Sequence, residues 1–476
     1  MQRLETGTVI DGFELARKLP SGGMAALWRA TKPGLDLPAI LKIPFFDPGQ
    51  DASGIIGYEV EELILKRLSG PHVPRFLGSG DLMKIPYIAM EFVEGESLAD
   101  IVGKAPLPAD EVAGIGIKIA TALAALHRQK VAHLDLKPEN IILTGRGAVL
   151  LDFGLSRHAE LPDLLGEESS VPMGTAAYIS PEQVLGERTD TASDLFALGC
   201  ILYQLATGEE PFGRPATFAG MKRRLYHAPK RPREINGGVP RWLDEIIQRC
   251  MEVDRSKRYA EASHVLSDLR NPDQVVVSRR RSERRAGFWA ALTGLFGKRD
   301  DRSLVGRARI ESRHAGASIV LAGVDLSNGR DALSDAVLDE TARALATREG
   351  SWLACVTVLK TEIVGQTSLG DENGQSIYLK RLVALKDWAH PLHLPEDRIS
   401  YHVLEAVSPA DAILTYAEHN DVGHIIVGAR GSSAIRRHLG SVSTKIVAEA
   451  LCSVSVVRIK AVEEQNRDGA STVRMA

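Results

Sequence analysis

The spacing of apolar residues changes after about residue 270 and again after about residue 316, so the chain falls into three parts. In the first part, residues 9–30 predict two strands joined by a glycine turn. A spacing of three and four, carried by Ile115, Ile119, Leu123 and Leu126, predicts a long helix. Mixed strands and helices of this kind are typical of an α+β domain.

A second helix is predicted ahead of residue 70, with Glu61, Leu65 and Leu68 on one face. Short apolar runs at 39–42 and 148–151 predict strands, and Ser97 is a candidate helix N-cap.

Strands and helices alternate regularly after residue 316. The near-continuous apolar run 318–324 is typical of a strand in a parallel sheet, which is covered on both faces. Helices are predicted over 331–347, 379–390 and 409–419, and strands over 352–359, 399–407, 424–428 and 454–459. Alternation of this kind indicates a doubly wound α/β domain.

Composition adds few constraints on partners. With 476 residues, two or three domains are expected, and 44% hydrophobic with 25% charged residues is ordinary for a globular protein. A net charge of −3 gives no overall attraction to nucleic acid, so no nucleic-acid partner is expected.

Cysteine usage and apolar runs indicate a cytoplasmic protein. The cysteines stand far apart and form no Cys-x-x-Cys pair, so neither a zinc site nor a disulfide framework is predicted; they are Cys200, Cys250, Cys355 and Cys452. The N-terminus lacks the apolar core of a signal peptide, and no run of 18 apolar residues predicts a membrane-spanning helix.

The middle part is a basic linker. Residues 278–302 hold eight Arg or Lys against three acidic residues, a balance of +5, and enclose the apolar segment 288–296. One interpretation is weak contact with an anionic membrane surface, and the other is a solvated linker carrying one docking helix.

Candidate chemistry concentrates in two short motifs, HLDLKPEN at 133–140 and, twelve residues later, DFG at 152–154. Phosphoryl transfer needs a base for the attacking hydroxyl, a cation near the transferred group and oxygen ligands for Mg²⁺. Asp135 can supply the base and Lys137 the cation, both as catalytic residues. Asn140 and Asp152 are the candidate metal ligands.

The two motifs resemble the catalytic and magnesium loops of eukaryotic-like serine/threonine protein kinases. The resemblance covers residues 9–270. It implies a bilobal α+β protein kinase fold, ATP and Mg²⁺ as cofactors, and serine or threonine hydroxyls of proteins as acceptors.

Further ATP-binding residues follow from this resemblance. The turn at 19–25 is similar to the kinase glycine-rich loop, with Pro20 and Ala25 at two positions where that loop usually has glycine. Lys42 matches the lysine that pairs the α- and β-phosphates, and Glu61 is its expected partner, with Glu59 and Glu62 as rivals. The remaining ATP-site candidates are Gly22 and Gly23 in the turn, Met90 behind adenine, and the backbone of Glu91 and Val93.

Residues 174–182 are similar to the end of a kinase activation segment, which includes Thr175. The resemblance implies that Glu182 pairs with Arg258 and that Asp194 is a structural hydrogen-bond acceptor. Leu134 stands where most kinases have an arginine that contacts a phosphate on this segment. The enzyme is therefore either always on or controlled from elsewhere.

The last part, residues 316–460, resembles the universal stress protein family. Its ATP-binding members seat phosphates on backbone N–H groups near a helix start. The matching candidates here are Asp325, Gly428, Gly431, Gly440 and Ser441. Because eight residues separate the second and third of these glycines where the family usually has nine, nucleotide binding and a purely structural or dimerising role both stay open.

Together these patterns predict a kinase domain at 9–270, a basic linker at 271–310, a stress-protein-like domain at 311–462 and a disordered tail at 463–476. The expected function is protein serine/threonine phosphorylation in stress signalling, with a nucleotide-sensing or dimerising C-terminal domain. The alternatives are a pseudokinase scaffold and an ATP-binding stress sensor that performs no phosphoryl transfer.

Overall fold

A computed structural model describes most of the chain. The described residues are 4–20, 25–45, 53–81, 84–161, 163, 165, 172–188, 190–277, 319–348, 350–361, 376–395, 398–429 and 440–459. Two compact units result, Met1–Gly316 with Gln366–Val383, and Ala317–Gly365 with Ala384–Ala476. Most of the predicted linker and all of the predicted tail lie outside the described residues, so both stay predictions.

The first unit contains eleven of the strands found in the described residues. They are β1 (Val9–Ile10), β2 (Phe13–Leu19), β3 (Ala25–Thr31), β4 (Ala39–Pro44), β5 (Phe76–Ser79), β6 (Ile88–Glu91), β7 (Glu96–Ser97), β8 (Val131–Ala132), β9 (Ile141–Thr144), β10 (Gly147–Leu150) and β11 (Arg157–His158). Its helices are α1 (Ser53–Leu65), α2 (Leu98–Val102), α3 (Ala109–Arg128), α4 (Pro181–Val184), α5 (Ala192–Thr207), α6 (Phe218–Lys222), α7 (Pro232–Ile235), α8 (Arg241–Cys250) and α9 (Ala262–Arg270).

The first six strands form one antiparallel sheet in the order β1-β2-β3-β4-β6-β5. Side chains alternate between the faces of a strand, so Ala39, Leu41 and Ile43 of β4 are buried on one face. Lys42 lies on the other face and is half-buried. The alternation of β4 thus packs one face of the strand into the core and places Lys42 on the face outside this core.

Helices dominate the chain after β6. Apolar residues at spacings of three and four bury one face of α3, and every residue of α5 is buried. Gly199 of α5 permits close packing on α8, because a Cβ at this position would lie 2.7 Å from Cβ of Cys250. A sheet-rich part followed by a helix-rich part confirms the α+β class of the first unit.

The second unit contains a five-stranded parallel sheet in the order β14-β13-β12-β15-β16. The strands are β12 (Ile319–Gly323), β13 (Trp352–Lys360), β14 (Ile399–Ala406), β15 (Val422–Gly428) and β16 (Ser453–Val457). The helices after residue 319 are α10 (Ala332–Ala346), α11 (Ile377–Ala389), α12 (Pro409–His419) and α13 (Ser441–Glu449). Parallel strands joined through helices confirm the doubly wound α/β class.

The core of the second unit lies on the sheet. Val320 and Leu353 from neighbouring strands pack in one cluster with Leu385 and Trp388. The indole N–H of Trp388 donates to the carbonyl oxygen of Ser334 at 2.9 Å, so the one polar atom of this buried side chain is satisfied.

The predicted and observed elements differ most at the end of α1. This helix ends at Leu65, and the prediction that Leu68 continues its face is wrong. Ser69, Gly70 and Pro71 come directly after Leu68. Glycine and proline favour a turn over another helical residue. Among the described residues, no helix is long and apolar enough to cross a membrane.

Candidate active site

Three charged side chains from three segments meet beside β4. Nζ of Lys42 lies 2.6 Å from Oε2 of Glu61 in α1 and 2.9 Å from Oδ1 of Asp152. Burial alone lowers the pKa of Lys42, but the two carboxylates outweigh it and hold that pKa above its usual value. Burial raises the pKa of Asp152, and the Lys42 charge reverses this, so the pKa lies below its usual value. A cation and an anion therefore stay charged side by side.

Glu61 is the glutamate of α1 that pairs with Lys42. It is 2% exposed, and burial raises its pKa, an effect that Lys42 partly offsets. The rival Glu62 instead accepts a hydrogen bond from Oγ of Ser79 at 2.5 Å and pairs with Lys66 at 2.9 Å. Two adjacent residues of α1 thus have different roles, since Glu61 pairs with Lys42 and Glu62 ties α1 to β5.

The segment before Asp135 is fixed by a buried carboxylate. Oδ1 of Asp194 accepts the backbone N–H of Leu134 and Oδ2 that of His133, both at 2.8 Å, and Nε2 of His127 lies 2.9 Å from Oδ2. Burial raises the pKa of Asp194, but these hydrogen bonds and nearby histidines lower it below its usual value. Leu134 has φ 62°, a left-handed conformation that costs a non-glycine residue free energy. The bonds to Asp194 stabilise this bend in the chain.

Both carboxylate oxygens of Asp135 are held by other residues. Oδ2 lies 2.7 Å from Nζ of Lys137. Oδ1 accepts from both the backbone N–H of Thr175 at 2.9 Å and its hydroxyl at 2.8 Å. With donors on both oxygens, the carboxylate has one fixed orientation, which general-base chemistry requires.

Asn140 and Asp152 are suitable ligands for a hard cation. Nδ2 of buried Asn140 donates to the carbonyl oxygen of Asp135 at 3.0 Å, so its amide oxygen is the atom that could bind a metal. Asp152 has φ 61° and a side chain 43% exposed, so a carboxylate oxygen can reach a ligand. Across the described residues, no group of three or more His, Cys, Asp or Glu side chains could hold a metal. Two protein oxygens completed by phosphates and water suit Mg²⁺, which rarely takes an all-protein cage.

The predicted adenine-binding strand is β6. Met90 is 8% exposed, and its neighbours in the sheet are Ile40 and Phe76. The backbone N–H of Glu91 donates to the carbonyl oxygen of Arg75 at 2.9 Å. Val93 follows β6 in an irregular stretch. Gly22 and Gly23 lie outside the described residues.

Glu182 and Arg258 form a buried ion pair. Nη1 and Nη2 of Arg258 donate to the two carboxylate oxygens of Glu182, each at 2.7 Å, and Oγ of Ser193 donates to Oε1 at 2.7 Å. Burial raises the pKa of Glu182, but the Arg258 charge and these hydrogen bonds outweigh it and lower the pKa to about 2. The pair anchors α4 to the chain just before α9.

Arg157 and Arg188 both pair with an acidic residue of the activation segment. Nη1 of Arg157 lies 3.6 Å and Nε of Arg188 3.4 Å from Oδ2 of Asp163. Nη2 of Arg188 also donates to the carbonyl oxygen of Leu155 at 2.8 Å. Both arginines near the catalytic loop therefore already have an acidic partner.

Comparisons with known proteins agree with this geometry. A protein kinase domain profile matches residues 48–269, and a universal stress protein family profile matches residues 317–458. The chain is 30% identical over 268 residues to the serine/threonine-protein kinase PknL of Mycobacterium tuberculosis, a match that covers 56% of this chain and 67% of PknL. The chain belongs to the bacterial serine/threonine protein kinase family.

Other relatives are longer than this chain. A probable serine/threonine-protein kinase of Clostridium perfringens, CPE1738, is 34% identical over 259 residues, which cover 54% of this chain and 38% of that protein. The chain spans less than two fifths of the length of the first such relatives. The crystal structure of the Mycobacterium tuberculosis PknI kinase domain is 23% identical, with a TM-score of 0.44, and covers 56% of this chain and 99% of that domain.

Two candidate residues of the stress-protein-like unit lie at the carboxyl ends of strands, and two others lie at the start of a helix. Asp325 follows β12 and is exposed, and its Oδ1 accepts from the backbone N–H of Ser327 at 2.9 Å. Gly428 ends β15, the parallel neighbour of β12. Gly440 is the N-cap of α13, which begins at Ser441. Because glycine has no side chain, the first N–H groups of α13 receive no side-chain cap from this residue. Gly431 lies outside the described residues.

Two residues near the kinase site escape the sequence analysis. Gln183 bridges the catalytic loop and the activation segment through its side-chain amide. The signal for it is present, since Ser180 and Gln183 have the spacing of a capping box. Arg224 is 1% exposed and donates to the carbonyl oxygen of Ala176 at 2.6 Å, and also to that of Ile179. No sequence motif predicts that a buried arginine at this position binds carbonyl groups.

Proposed function

We propose that this chain transfers the γ-phosphate of ATP to serine or threonine hydroxyls of proteins. The observation that carries this proposal is the fixed carboxylate of Asp135, held by Lys137 on one oxygen and by Thr175 on the other. A carboxylate in this position can orient an acceptor hydroxyl and take its proton as the oxygen attacks phosphorus. Lys137 offsets negative charge that develops on the transferred group.

The remaining roles follow from the same geometry. Lys42, held by Glu61, pairs with the α- and β-phosphates and fixes the nucleotide for in-line attack. The amide oxygen of Asn140 and the carboxylate of Asp152 hold Mg²⁺. The bound metal supplies positive charge to the phosphate oxygens. Met90 closes the adenine pocket, and backbone groups of Glu91 and Val93 recognise the base.

A pseudokinase scaffold is not favoured, because the base, the phosphate-binding lysine and both oxygen ligands are present together. Incubation of the purified chain with radiolabelled ATP, Mg²⁺ and a generic basic protein tests the proposal. Incorporation that disappears in Asp135→Asn supports it. A chain that binds ATP but transfers no radiolabel would overturn the proposal and identify a scaffold or sensor instead.

A second proposal concerns the stress-protein-like unit. Going outward from β12, the sheet runs to β13 and β14 on one side and to β15 and β16 on the other. Such a change of direction opens a crevice at the carboxyl ends of the two central strands, where doubly wound folds bind ligands. Asp325 and Gly428 lie at these ends. We propose that ATP binds here, with Gly440 and Ser441 offering N–H groups at the start of α13.

Nucleotide binding in this unit would make it a stress-signalling input to the kinase. A role in joining two copies of the chain is the alternative proposal for the same unit. Contact of residues 278–302 with anionic lipid is a third proposal, supported by the +5 charge of that stretch.

A further inference from the structure

The side-chain amide of Gln183 joins three backbone groups. Its Nε2 lies 2.7 Å from the carbonyl oxygen of Leu134 and 3.4 Å from that of Met173. Its Oε1 accepts the backbone N–H of Ser180 at 3.1 Å. Gln183 is 4% exposed, so these bonds form away from water, where an unmade hydrogen bond is costly.

Residues 173–175 touch the catalytic loop at two points. Gln183 joins Met173 to Leu134, and two residues further on Thr175 donates twice to Oδ1 of Asp135. Gly174 lies between these points with φ +131°, and a Cβ there would lie 3.4 Å from the carbonyl oxygen of Leu134 and 3.5 Å from Nε2 of Gln183. The backbone must pass this close to the bridge for Thr175 to reach Asp135.

We propose that Gln183 is a positioning residue that aligns the activation segment with Asp135 without a phosphate. The inference rests on the proposed kinase function. Leu134 carries no charge, so it cannot bind a phosphate on the segment, yet its carbonyl oxygen is the group that Gln183 holds. The neighbouring Arg157 and Arg188 already contact Asp163. An uncharged amide thus performs the alignment that an arginine and a phosphate perform in many kinases.

Loss of the amide has a specific consequence. The carbonyl oxygens of Leu134 and Met173 lose their shared donor, and residues 173–175 move away from the loop. Thr175 then no longer fixes the carboxylate of Asp135, so the chemical step slows. ATP binding is expected to change little, because no contact of Gln183 reaches Lys42, Glu61 or Asp152.

The test compares Gln183→Met with Gln129→Met in the full chain. Gln129 is a matched control, since its Nε2 donates to the carbonyl oxygens of Ser69 and Ala125 and its Oε1 accepts the N–H of Ser69. Like Gln183, it donates to two backbone carbonyl oxygens and accepts one backbone N–H, and none of these bonds involves the catalytic loop. Gln183→Met is expected to lower kcat by about 30- to 100-fold, the usual cost of a misplaced catalytic group. In the same variant KM for ATP should stay within about threefold, and Gln129→Met should change neither by more than about threefold.

Hydrogen exchange of the Thr175 amide gives a second readout that needs no activity. This amide donates to Asp135 in the wild type, so its exchange should quicken in Gln183→Met and stay unchanged in Gln129→Met. Gln183→Glu keeps the acceptor for Ser180 and removes the donor, and it should reproduce both effects if Gln183→Met does not fold. Wild-type protection of Thr175 in a folded Gln183 variant overturns the inference. Absence of Asp135-dependent transfer in the wild type would instead overturn the kinase proposal, and the exchange result would still decide the role of Gln183.

Discussion

Lys42 lies between two carboxylates that come from distant parts of the chain. Glu61 is 19 residues after it and Asp152 is 110 residues after it, and both lie within 3 Å of the same ammonium group. This ion triad ties strand β4, helix α1 and the segment after β10 to a single point. Lys42 stabilises the charge of each carboxylate, and the two carboxylates stabilise the charge of Lys42, so loss of the lysine is expected to disrupt both contacts.

Lys42→Met and Asp152→Asn should each reduce phosphoryl transfer by at least about 10²- to 10³-fold, because positioning and electrostatics supply most of this catalysis. Lys104→Met is the matched control, since Lys104 also pairs with a glutamate, Glu96 at 2.7 Å, but both side chains are mostly exposed. Initial rates at saturating ATP measure the effect. Near-wild-type rates in either of the first two variants would refute the kinase assignment.

Glu182→Gln should destabilise the kinase domain by about 3–5 kcal/mol at pH 7, because it leaves Arg258 buried without its counter-charge. The pKa of Glu182 is about 2 in the folded protein and near 4.5 when unfolded, so the folded state favours the ionised form. The resulting stabilisation is complete above about pH 4.5 and is lost as pH falls toward 2. Hydrogen exchange of α5 amides measures the free energy of unfolding of the wild type and of Glu182→Gln. The difference between these two free energies should shrink as the pH falls from 5 to 3. A difference in the free energy of unfolding that stays constant across this pH range would argue against an ionised Glu182.

The double variant Ser169→Ala/Ser170→Ala should keep basal activity within about threefold of the wild type, which is less than ~0.7 kcal/mol of barrier. Leu134 offers no cation for a phosphate at these positions, which lie outside the described residues. Deletion of residues 303–476 should change activity more, since control would then enter through the C-terminal domain. Kinase assays of both proteins at matched concentration measure this, and the opposite order of effects would place the switch in the activation segment.

Isolated residues 303–476 should gain thermal stability as ATP concentration rises, because a ligand that binds only the folded state stabilises it. Substitution of Ser441 by proline should remove this gain, because proline is tolerated at the first position of a helix but lacks the N–H that is proposed to bind phosphate. Ser453→Ala is a suitable control, since Ser453 begins β16 and so lies at the amino end of a parallel strand, away from the proposed crevice. A melting temperature that does not respond to millimolar ATP would favour a dimerising or docking role.

Local rules predict the elements of the second unit well. Ser408 caps α12 and Pro409 starts it, so the observed helix Pro409–His419 has the predicted bounds. Strong periodicity and a clear start signal are enough where the neighbours in sequence decide the structure. The prediction at Leu68 is wrong because it follows the apolar spacing alone. It disregards the glycine and proline that come after Leu68, although both favour a turn.

The kinase site depends on contacts between distant residues, and periodicity contains no information about these. Asp152 is predicted from its motif and Lys42 only through resemblance to a family, whereas Gln183 and Arg188 match no motif quoted for that family. Each of the last two binds backbone carbonyl oxygens through side-chain N–H groups, a contact that any donor of suitable length could make. The capping-box spacing of Ser180 and Gln183 predicts a helix start but not the bridging role, since that role comes from where the backbone passes.

The ion pair of Glu182 and Arg258 spans 76 residues, which has a consequence for how the protein is made. A ribosome delivers the chain from its N-terminus, so every catalytic group has been synthesised well before Arg258 appears. Until that moment Glu182 has no buried counter-charge, and α4 cannot be anchored as it is in the finished fold. The nascent chain therefore carries all the residues of a phosphate-transfer site while it lacks the contact that holds them, and activity should begin only once residues near 270 have left the exit tunnel.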